Sequence, residues 1–506
     1  MSAVRHVGRA HAVAQVGLDA RDVTVEAHVG GGLPGFHIIG SSGAPAREAA
    51  DRVRAALSSS GVSIGARKVL VSLAPADVSK VGARFDLATA VAVCAQLDVV
   101  PQSGLDDVVL LGELALDGVV RPVPGVLPSA AHAAARARRL LVPDGNAAEA
   151  ALIDGVEVVP IADLEEALAV LGGRSPRRVE PGSPPSTPPV PLADLADVRG
   201  QHEARRALEL AAAGGHHLLL IGPPGCGKTM LASRLPSILP PLTDDEALEL
   251  AAIRSVAGLL DAPAGGVLDR TPPFRAPHHT ATAAALLGGG SGVARPGEVS
   301  LAHQGVLMLD ELLEWPRRLL DALRAPLQER VVRVARARAT VTYPADVMLV
   351  AAANPCPCGG GERCRCGEED VVRYQARLSG PLADRLDLAP AVTPLSGRQL
   401  LDRAPGEPSQ AVASRVAGAR RVAAERDGAG ARNATTPVPR LRQTADGAAL
   451  AALAGAVDAG VLTARGHDRA LRVARTCADL DGSVTIARGH VTEALGHRLA
   501  LPGPGR

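Results

Sequence analysis

The spacing of apolar and polar residues changes character along this 506-residue chain, and the changes predict its organisation. Up to residue 172, short runs rich in valine, isoleucine and leucine (23–28, 36–39, 69–73, 108–111, 140–142 and 156–161) alternate with alanine-rich stretches of helical spacing. That alternation predicts an α/β domain over residues 1–172. Residues 173–191 are dense in proline, which cannot donate to a sheet ladder, and read as an extended, semi-rigid linker. From 192 to 392 the apolar runs become continuous, as at 218–221, 306–309 and 347–353, the pattern of parallel strands buried on both faces. Near residue 393 the strand-like runs stop. An alanine- and arginine-rich, helix-patterned region continues to about residue 499, broken around 427–439, so residues 393–506 read as a helical lid.

The run 218–221 leads into Gly222, Pro223, Pro224, Gly225, Cys226, Gly227, Lys228 and Thr229, and an amphipathic segment begins near Met230. This is GxxxxGK[ST] between a strand and a helix, the setting that separates a phosphate loop from an ordinary glycine turn. The glycines let backbone N–H groups turn inward around phosphate oxygens, Lys228 adds a point charge at the β- and γ-phosphates, and the Thr229 hydroxyl can ligate Mg²⁺. Lysine is otherwise nearly absent: Lys68, Lys80 and Lys228 stand against 51 arginines. A compact ammonium fits between phosphates where a planar guanidinium does not. The expectation is a bound nucleoside triphosphate.

Downstream, Gly305-Val-Leu-Met-Leu-Asp-Glu311 has the pattern of a buried strand ending in two acids. Asp310 would hold Mg²⁺ through water and Glu311 would polarise the attacking water. Val347-Met-Leu-Val-Ala-Ala-Ala-Asn354 ends in an amide where a γ-phosphate sensor would sit; the plainer reading is a strand-terminal asparagine in the turn before Pro355.

Bulk composition narrows the picture further. A hydrophobic content of 47% supports well-buried cores even with very few aromatic residues. The net charge of +1 provides no overall basic field, so any nucleic-acid binding has to come from local arginine clusters. The longest apolar stretches, 87–100 and 448–462, are too short for a span or contain an aspartate, and no amino-terminal signal pattern is evident. The expectation is a cytoplasmic protein with no membrane partner. Four of the seven cysteines crowd into residues 356–366, unlike a secreted disulfide framework.

Several motifs together resemble the YifB/ComM family of magnesium-chelatase-like AAA+ ATPases. They are Asp197-Val-Arg-Gly-Gln201, Phe274-Arg-Ala-Pro-His-His-Thr280, Arg295-Pro-Gly-Glu-Val-Ser-Leu-Ala-His-Gln-Gly305, Ala353-Asn-Pro-Cys-Pro-Cys-Gly359 and Leu378-Ser-Gly-Pro-Leu-Ala-Asp-Arg-Leu-Asp387. The amino-terminal Gly32-Leu-Pro-Gly-Phe-His-Ile-Ile-Gly40 and Leu73-Ala-Pro-Ala-Asp77 resemble the same family, as does Thr463-Ala-Arg-Gly-His-Asp-Arg-Ala-Leu-Arg-Val-Ala-Arg-Thr476 near the carboxy terminus. The fold implied is α/β: a P-loop AAA+ module with a parallel sheet (192–392) and a helical lid (393–506), preceded by a ribosomal-S5/Lon-protease-like domain. The resemblance implies that Val198 and Gln201 border the adenine pocket. It also implies that Arg385 is an arginine finger reaching a neighbouring subunit's γ-phosphate, and that Arg465 is the sensor arginine of the lid. A finger acting between subunits implies a homo-oligomeric ring, most simply a hexamer. For either arginine the plainer alternative is a surface ion pair.

The segment 331–342 is β-patterned and carries Arg333, Arg336 and Arg338. Its position resembles the hairpin that helicase-like AAA+ rings point into their pore, where the three arginines could track a DNA phosphate backbone. An edge hairpin guarded by cations is the alternative. His278 and His279, adjacent in a loop, are read as hydrogen-bonding residues rather than metal ligands. Cys356, Cys358, Cys364 and Cys366 form C-x-C-x5-C-x-C and could close a structural tetrahedral Zn²⁺ site; redox-active or merely reduced thiols are the alternatives.

The resemblance to Lon proteases raises peptide hydrolysis. Where those enzymes carry a nucleophilic serine, this chain reads Gly82-Ala-Arg-Phe-Asp86, and the position of their catalytic lysine falls on Ser129. Neither half of a Ser/Lys dyad is kept, and an arginine cannot accept an acyl group. The domain is read as a binding or assembly platform. The leading expectation is an ATP-hydrolysing ring motor acting on single-stranded or branched DNA, with branch migration during natural transformation as the job the resemblance implies. The alternative is a chelatase-like or chaperone-like ATPase subunit that remodels a protein or metal-insertion complex.

Overall fold

A computed structural model describes residues 7–40, 44–78, 80, 82–179, 192–260, 267–290, 294–335, 340–360, 364–378, 380–397 and 406–498. The amino-terminal sheet has seven strands in the order Gly35–Ile39, Lys68–Ala74, Asp19–Gly30, Gly8–Val16, Val108–Leu110, Arg139–Pro143 and Val158–Ile161. An antiparallel hairpin, paired from Gly8↔Ala27 to Val16↔Asp19, lies at its centre, and the strands beyond Gly8–Val16 run parallel.

Alternation along the strands divides the core between two faces. Ala10, Ala12 and Ala14 point with Val23 and Val25 toward the helices Ala44–Ser59 and Asp86–Gln96. Val13 and Val109 point toward the helices Val126–Ala134 and Asp144–Ala150. Gly8–Val16 is the strand that apolar patterning passes over, because its inward positions are mostly alanines. The helix Asp86–Gln96 is buried from Asp86 through Ala95, which explains an apolar sequence without a polar stripe.

The second sheet is parallel, in the order Leu218–Ile221, Met348–Ala353, Val306–Leu309 and Phe274–Arg275. Leu388 and Ala391 bridge to the outer side of Leu218–Ile221 and extend that edge. Leu218, Leu220, Met308 and Val350 face a core shared with the helices His202–Gly214, Ser409–Asp427, Gly447–Asp458, Ala464–Leu480 and Arg488–Gly496. Leu219, Leu307, Leu309 and Leu349 face a second core with Trp315 and Tyr343. The helical region thus packs into the core of the parallel-sheet module. The break seen in the sequence at 427–439 holds a 3-10 turn, Asn433–Thr435, before the short helix Val438–Arg442.

Several contacts join the amino-terminal domain to this module. Gly125 N–H donates to the Ser255 carbonyl at 2.9 Å, at the end of the helix Asp244–Ala257. Gly17, in the hairpin turn at φ 65°, lies against Val341, where a Cβ would come within 2.4 Å of Val341 Cγ1.

Candidate active site

The phosphate-loop residues 222–229 leave the carboxyl end of Leu218–Ile221. Gly222 has no room for a side chain, since a Cβ there would lie 2.2 Å from the Val392 carbonyl oxygen. Gly225 and Gly227 adopt φ of 77° and 95°, a region that favours glycine, and Gly227 caps the helix Lys228–Ala232. Lys228 is buried, and its Nζ donates to the carbonyls of Gly222 at 2.6 Å and Pro223 at 3.0 Å. It also donates to Asn354 Oδ1 at 3.0 Å, just past the end of Met348–Ala353.

The third strand delivers the acids. Thr229 Oγ1 donates to Asp310 Oδ2 at 2.6 Å, and Trp315 Nε1 donates to the Asp310 carbonyl at 3.0 Å. Glu311 adopts φ 49°, in the left-handed region that a non-glycine residue enters only when its surroundings hold it there. Its carboxylate lies 3.2 Å from His279 Nδ1. The sequence reading of His279 as a hydrogen-bonding residue therefore acquires a specific partner, the candidate water-polarising acid, which periodicity could not reveal. His278 pairs instead with Thr280 Oγ1 at 2.8 Å.

Lys228, Thr229, Asp310, Glu311 and Asn354 thus converge at the carboxyl ends of three adjacent parallel strands, where α/β sheets bind ligands. A carboxylate beside a hydroxyl, with an ammonium and an amide nearby, suits a Mg²⁺–polyphosphate. Val198 is fully buried, and its carbonyl accepts from Arg205 Nη1 at 2.8 Å. Gln201, at φ 53°, donates from Nε2 to the Thr393 carbonyl at 2.6 Å and the Cys226 carbonyl at 3.4 Å, on the phosphate-loop side of the module.

Arg385 and Arg465 lie elsewhere. Both line a cavity of about 500 Å³ with Arg469, Arg472, His217 and Asp346. His217 and Asp346 precede strands that run away from the cavity toward the phosphate loop. The two arginines therefore line the cavity at the amino-terminal end of these strands, whereas the chain's own Lys228 lies past the carboxyl end of Leu218–Ile221. Arg385 Nη2 donates to Gln328 Oε1 at 2.7 Å, and Arg465 pairs with Asp384 at 3.3 Å. Burial, together with the charges of Arg324, Arg469 and Arg465, pushes the Arg385 guanidinium below its usual range, a cationic setting suited to an anion. Burial alone would raise the Asp387 carboxyl, but Arg469 at 2.6 Å and the neighbouring His216 and His217 hold it well below the usual carboxylate range.

Arg333 is on Val331–Ala335, which pairs with Thr340–Pro344 as a hairpin, and its guanidinium contacts Glu329. Arg336 and Arg338 lie outside the described residues. The four clustered cysteines come together: all four sulfur atoms lie within 4.8 Å of one another, with Cys356 to Cys358 at 3.4 Å and Cys364 at 3.5 Å from each of them. Backbone N–H groups of Gly360 and Arg365 hold the Cys358 thiol down to about 6, while burial pushes Cys356 up to about 12.

The two amino-terminal positions that the sequence reading compared with a Ser/Lys dyad also meet. Arg84, buried, donates from Nη2 to Ser129 Oγ at 2.9 Å and from Nη1 to Gln15 Oε1 at 3.1 Å. Burial lowers its guanidinium to about 10, still cationic at neutral pH and unable to serve as nucleophile or base. Among the described residues no helix is long and apolar enough to cross a membrane.

Comparison with known proteins matches three stretches of the chain to related families. Residues 25–146 match the family described as subunit ChlI of Mg-chelatase, residues 194–400 match magnesium chelatase, subunit ChlI, and residues 406–498 match the ChlI carboxy-terminal family. An uncharacterised Mycobacterium tuberculosis protein is 46% identical over 507 residues, covering 97% of this chain and 98% of the relative. The uncharacterised protein YifB of Escherichia coli is 43% identical, with 96% of each chain covered. The competence protein ComM of Haemophilus influenzae is 40% identical, again over 96% of each. The chain belongs to the YifB/ComM family of magnesium-chelatase-like AAA+ proteins.

Proposed function

We propose that this chain is an ATP-hydrolysing subunit of a homo-oligomeric ring, most simply a hexamer, that moves on DNA. The observation that carries the ATPase reading is the convergence of Lys228, Thr229, Asp310, Glu311 and Asn354 at one end of the parallel sheet. In this reading Lys228 and the loop N–H groups hold the phosphates, and Thr229 and Asp310 hold Mg²⁺. Glu311, oriented by His279, polarises water, and Asn354 senses the γ-phosphate. Val198 and Gln201 border the adenine. Arg385 and Arg465, at the opposite end of the sheet, serve the phosphates of the adjacent subunit, so each ATP site is composite.

The DNA reading rests on the exposed Arg333 hairpin and on kinship with a protein named for competence. Branch migration of recombination intermediates is the specific activity it suggests. The four thiols are assigned to a structural Zn²⁺, and the amino-terminal domain to binding or assembly without peptidase chemistry. The magnesium-chelatase kinship supports a second reading, an ATPase subunit that remodels a metal-insertion complex. Steady-state ATPase rates with no DNA, single strands, duplex and a four-way junction separate the two. Strong stimulation by DNA is expected for the motor, and a rate indifferent to every DNA form would favour the remodelling subunit.

A further inference from the structure

The cysteine cluster abuts the phosphate loop. Gly359 adopts φ 94° and its N–H donates to the Cys356 carbonyl at 3.0 Å, closing a tight turn between the first two cysteines and the rest of the cluster. That turn leans on Pro224 of the phosphate loop so closely that a Cβ on Gly359 would lie 2.6 Å from Pro224 Cδ. Gly360, at φ 79°, packs on Pro355, where a Cβ would lie 2.5 Å from Pro355 Cγ. Pro355 is fixed from its other side by Gln375 Nε2, which donates to its carbonyl at 3.2 Å. Pro355 immediately follows Asn354, the acceptor for Lys228. The cluster therefore reaches the nucleotide site by two short routes, through Gly359 to Pro224 and through Pro355 to Asn354.

The sulfur geometry suits one ion. Four thiolates at about 2.3 Å around a tetrahedral Zn²⁺ have sulfur atoms roughly 3.8 Å apart. The separations of 3.4 to 3.5 Å among Cys356, Cys358 and Cys364 are close to that spacing, and Cys366 Sγ lies within 4.8 Å of the other three. Cys356 is buried against the module, whereas Cys358 and Cys364 are exposed, so the cluster has one anchored and at least two accessible ligands.

We propose that zinc held by Cys356, Cys358, Cys364 and Cys366 clamps the turn at Gly359 against Pro224, so that zinc occupancy sets the affinity of the phosphate loop for ATP. The proposal rests on the nucleotide-site reading above. Without the ion, the turn at Gly359 and the cysteines around it must be ordered by local contacts alone, and the entropy of ordering them then opposes nucleotide binding. Coupling between two sites is reciprocal: if zinc tightens MgATP, MgATP must tighten zinc by the same factor.

The test uses the full chain carrying Glu311→Gln, so that ATP is bound without rapid turnover. MgATP affinity is measured calorimetrically on zinc-loaded protein and on protein stripped with a zinc-selective chelator that is then removed, and zinc affinity is measured with and without MgATP. The expected result is a loss on the order of tenfold in MgATP affinity on stripping, restored by added Zn²⁺, with the same factor in the reverse measurement. Pro224→Ala should keep zinc yet weaken MgATP, since it removes the contact with Gly359 and leaves the cysteine turn in place. Equal MgATP affinity with and without zinc, or no zinc bound at all, would overturn the clamp. If the zinc-loaded protein fails to bind MgATP, the nucleotide-site assignment itself is at fault.

Discussion

Lys228 Nζ and Asn354 Oδ1 are 3.0 Å apart, a hydrogen bond between the phosphate loop and the end of the neighbouring strand. It joins polar side chains that follow two parallel strands, at the place the proposed function gives to the γ-phosphate. The third strand contributes Asp310 through its contact with Thr229 at 2.6 Å.

These positions predict different consequences for different losses. Lys228→Ala should abolish MgATP binding, because it removes the charge that opposes the phosphates. Glu311→Gln should bind MgATP normally and hydrolyse it at least about a hundredfold more slowly, since only activation of water is lost. Equilibrium binding and steady-state turnover check the pair; equal loss of affinity in both would refute the roles.

In the proposed function His279 acts through Glu311, which its Nδ1 meets at 3.2 Å, as a positioning residue. His279→Ala should lower kcat roughly tenfold with KM for ATP unchanged, because the carboxylate remains but its orientation is released. A rise in KM with kcat intact would mean that His279 contacts the nucleotide instead.

The Asp387 carboxylate binds the helix Ala464–Leu480 to the sheet edge through Arg469. Its pKa is depressed in the folded protein, so its contribution to stability is present above the ordinary value of 3.8 and is lost as pH falls through that value toward the folded one. Asp387→Asn should cost about 3 kcal/mol near neutral pH, the scale of a broken buried pair. The gap in denaturant midpoints between wild type and variant should begin to narrow below about pH 4 and go on narrowing as the pH falls further. A gap that stays constant across this range would contradict the assignment.

For the DNA reading, replacing Arg333, Arg336 and Arg338 together with alanine should preserve MgATP binding and assembly but remove DNA stimulation of turnover. Each lost phosphate contact should flatten the log–log salt dependence of DNA affinity by roughly 0.7 to 0.9. Unchanged affinity and salt dependence would leave these arginines as guards of a solvated hairpin.

The phosphate loop and the acids were legible in the sequence because each is a local pattern: a strand, a fixed spacing and a helix start. Relations between distant segments were not. His279 meets Glu311 only because the segment after Phe274–Arg275 passes over the end of Val306–Leu309, and the left-handed backbone of Glu311 leaves no compositional trace. Arg385 and Arg465 were matched by motif, but their shared cavity depends on how Ala464–Leu480 packs against the sheet. The contact of Arg84 with Ser129 was equally hidden, since resemblance supplied the two positions without their pairing. The strand Gly8–Val16 escaped because alanine faces both helices and strands without preference for period.

The composite site is the central claim, and mixing two inactive variants tests it most directly. Arg385→Ala subunits keep an intact phosphate loop, and Lys228→Ala subunits keep an intact finger. Neither should hydrolyse ATP alone, yet mixed rings contain interfaces with both groups. The account predicts that ATPase activity reappears on mixing, in proportion to the interfaces that join an intact loop to an intact Arg385. No recovery in rings demonstrated to contain both variants would contradict it and return Arg385 to a structural ion-pair role.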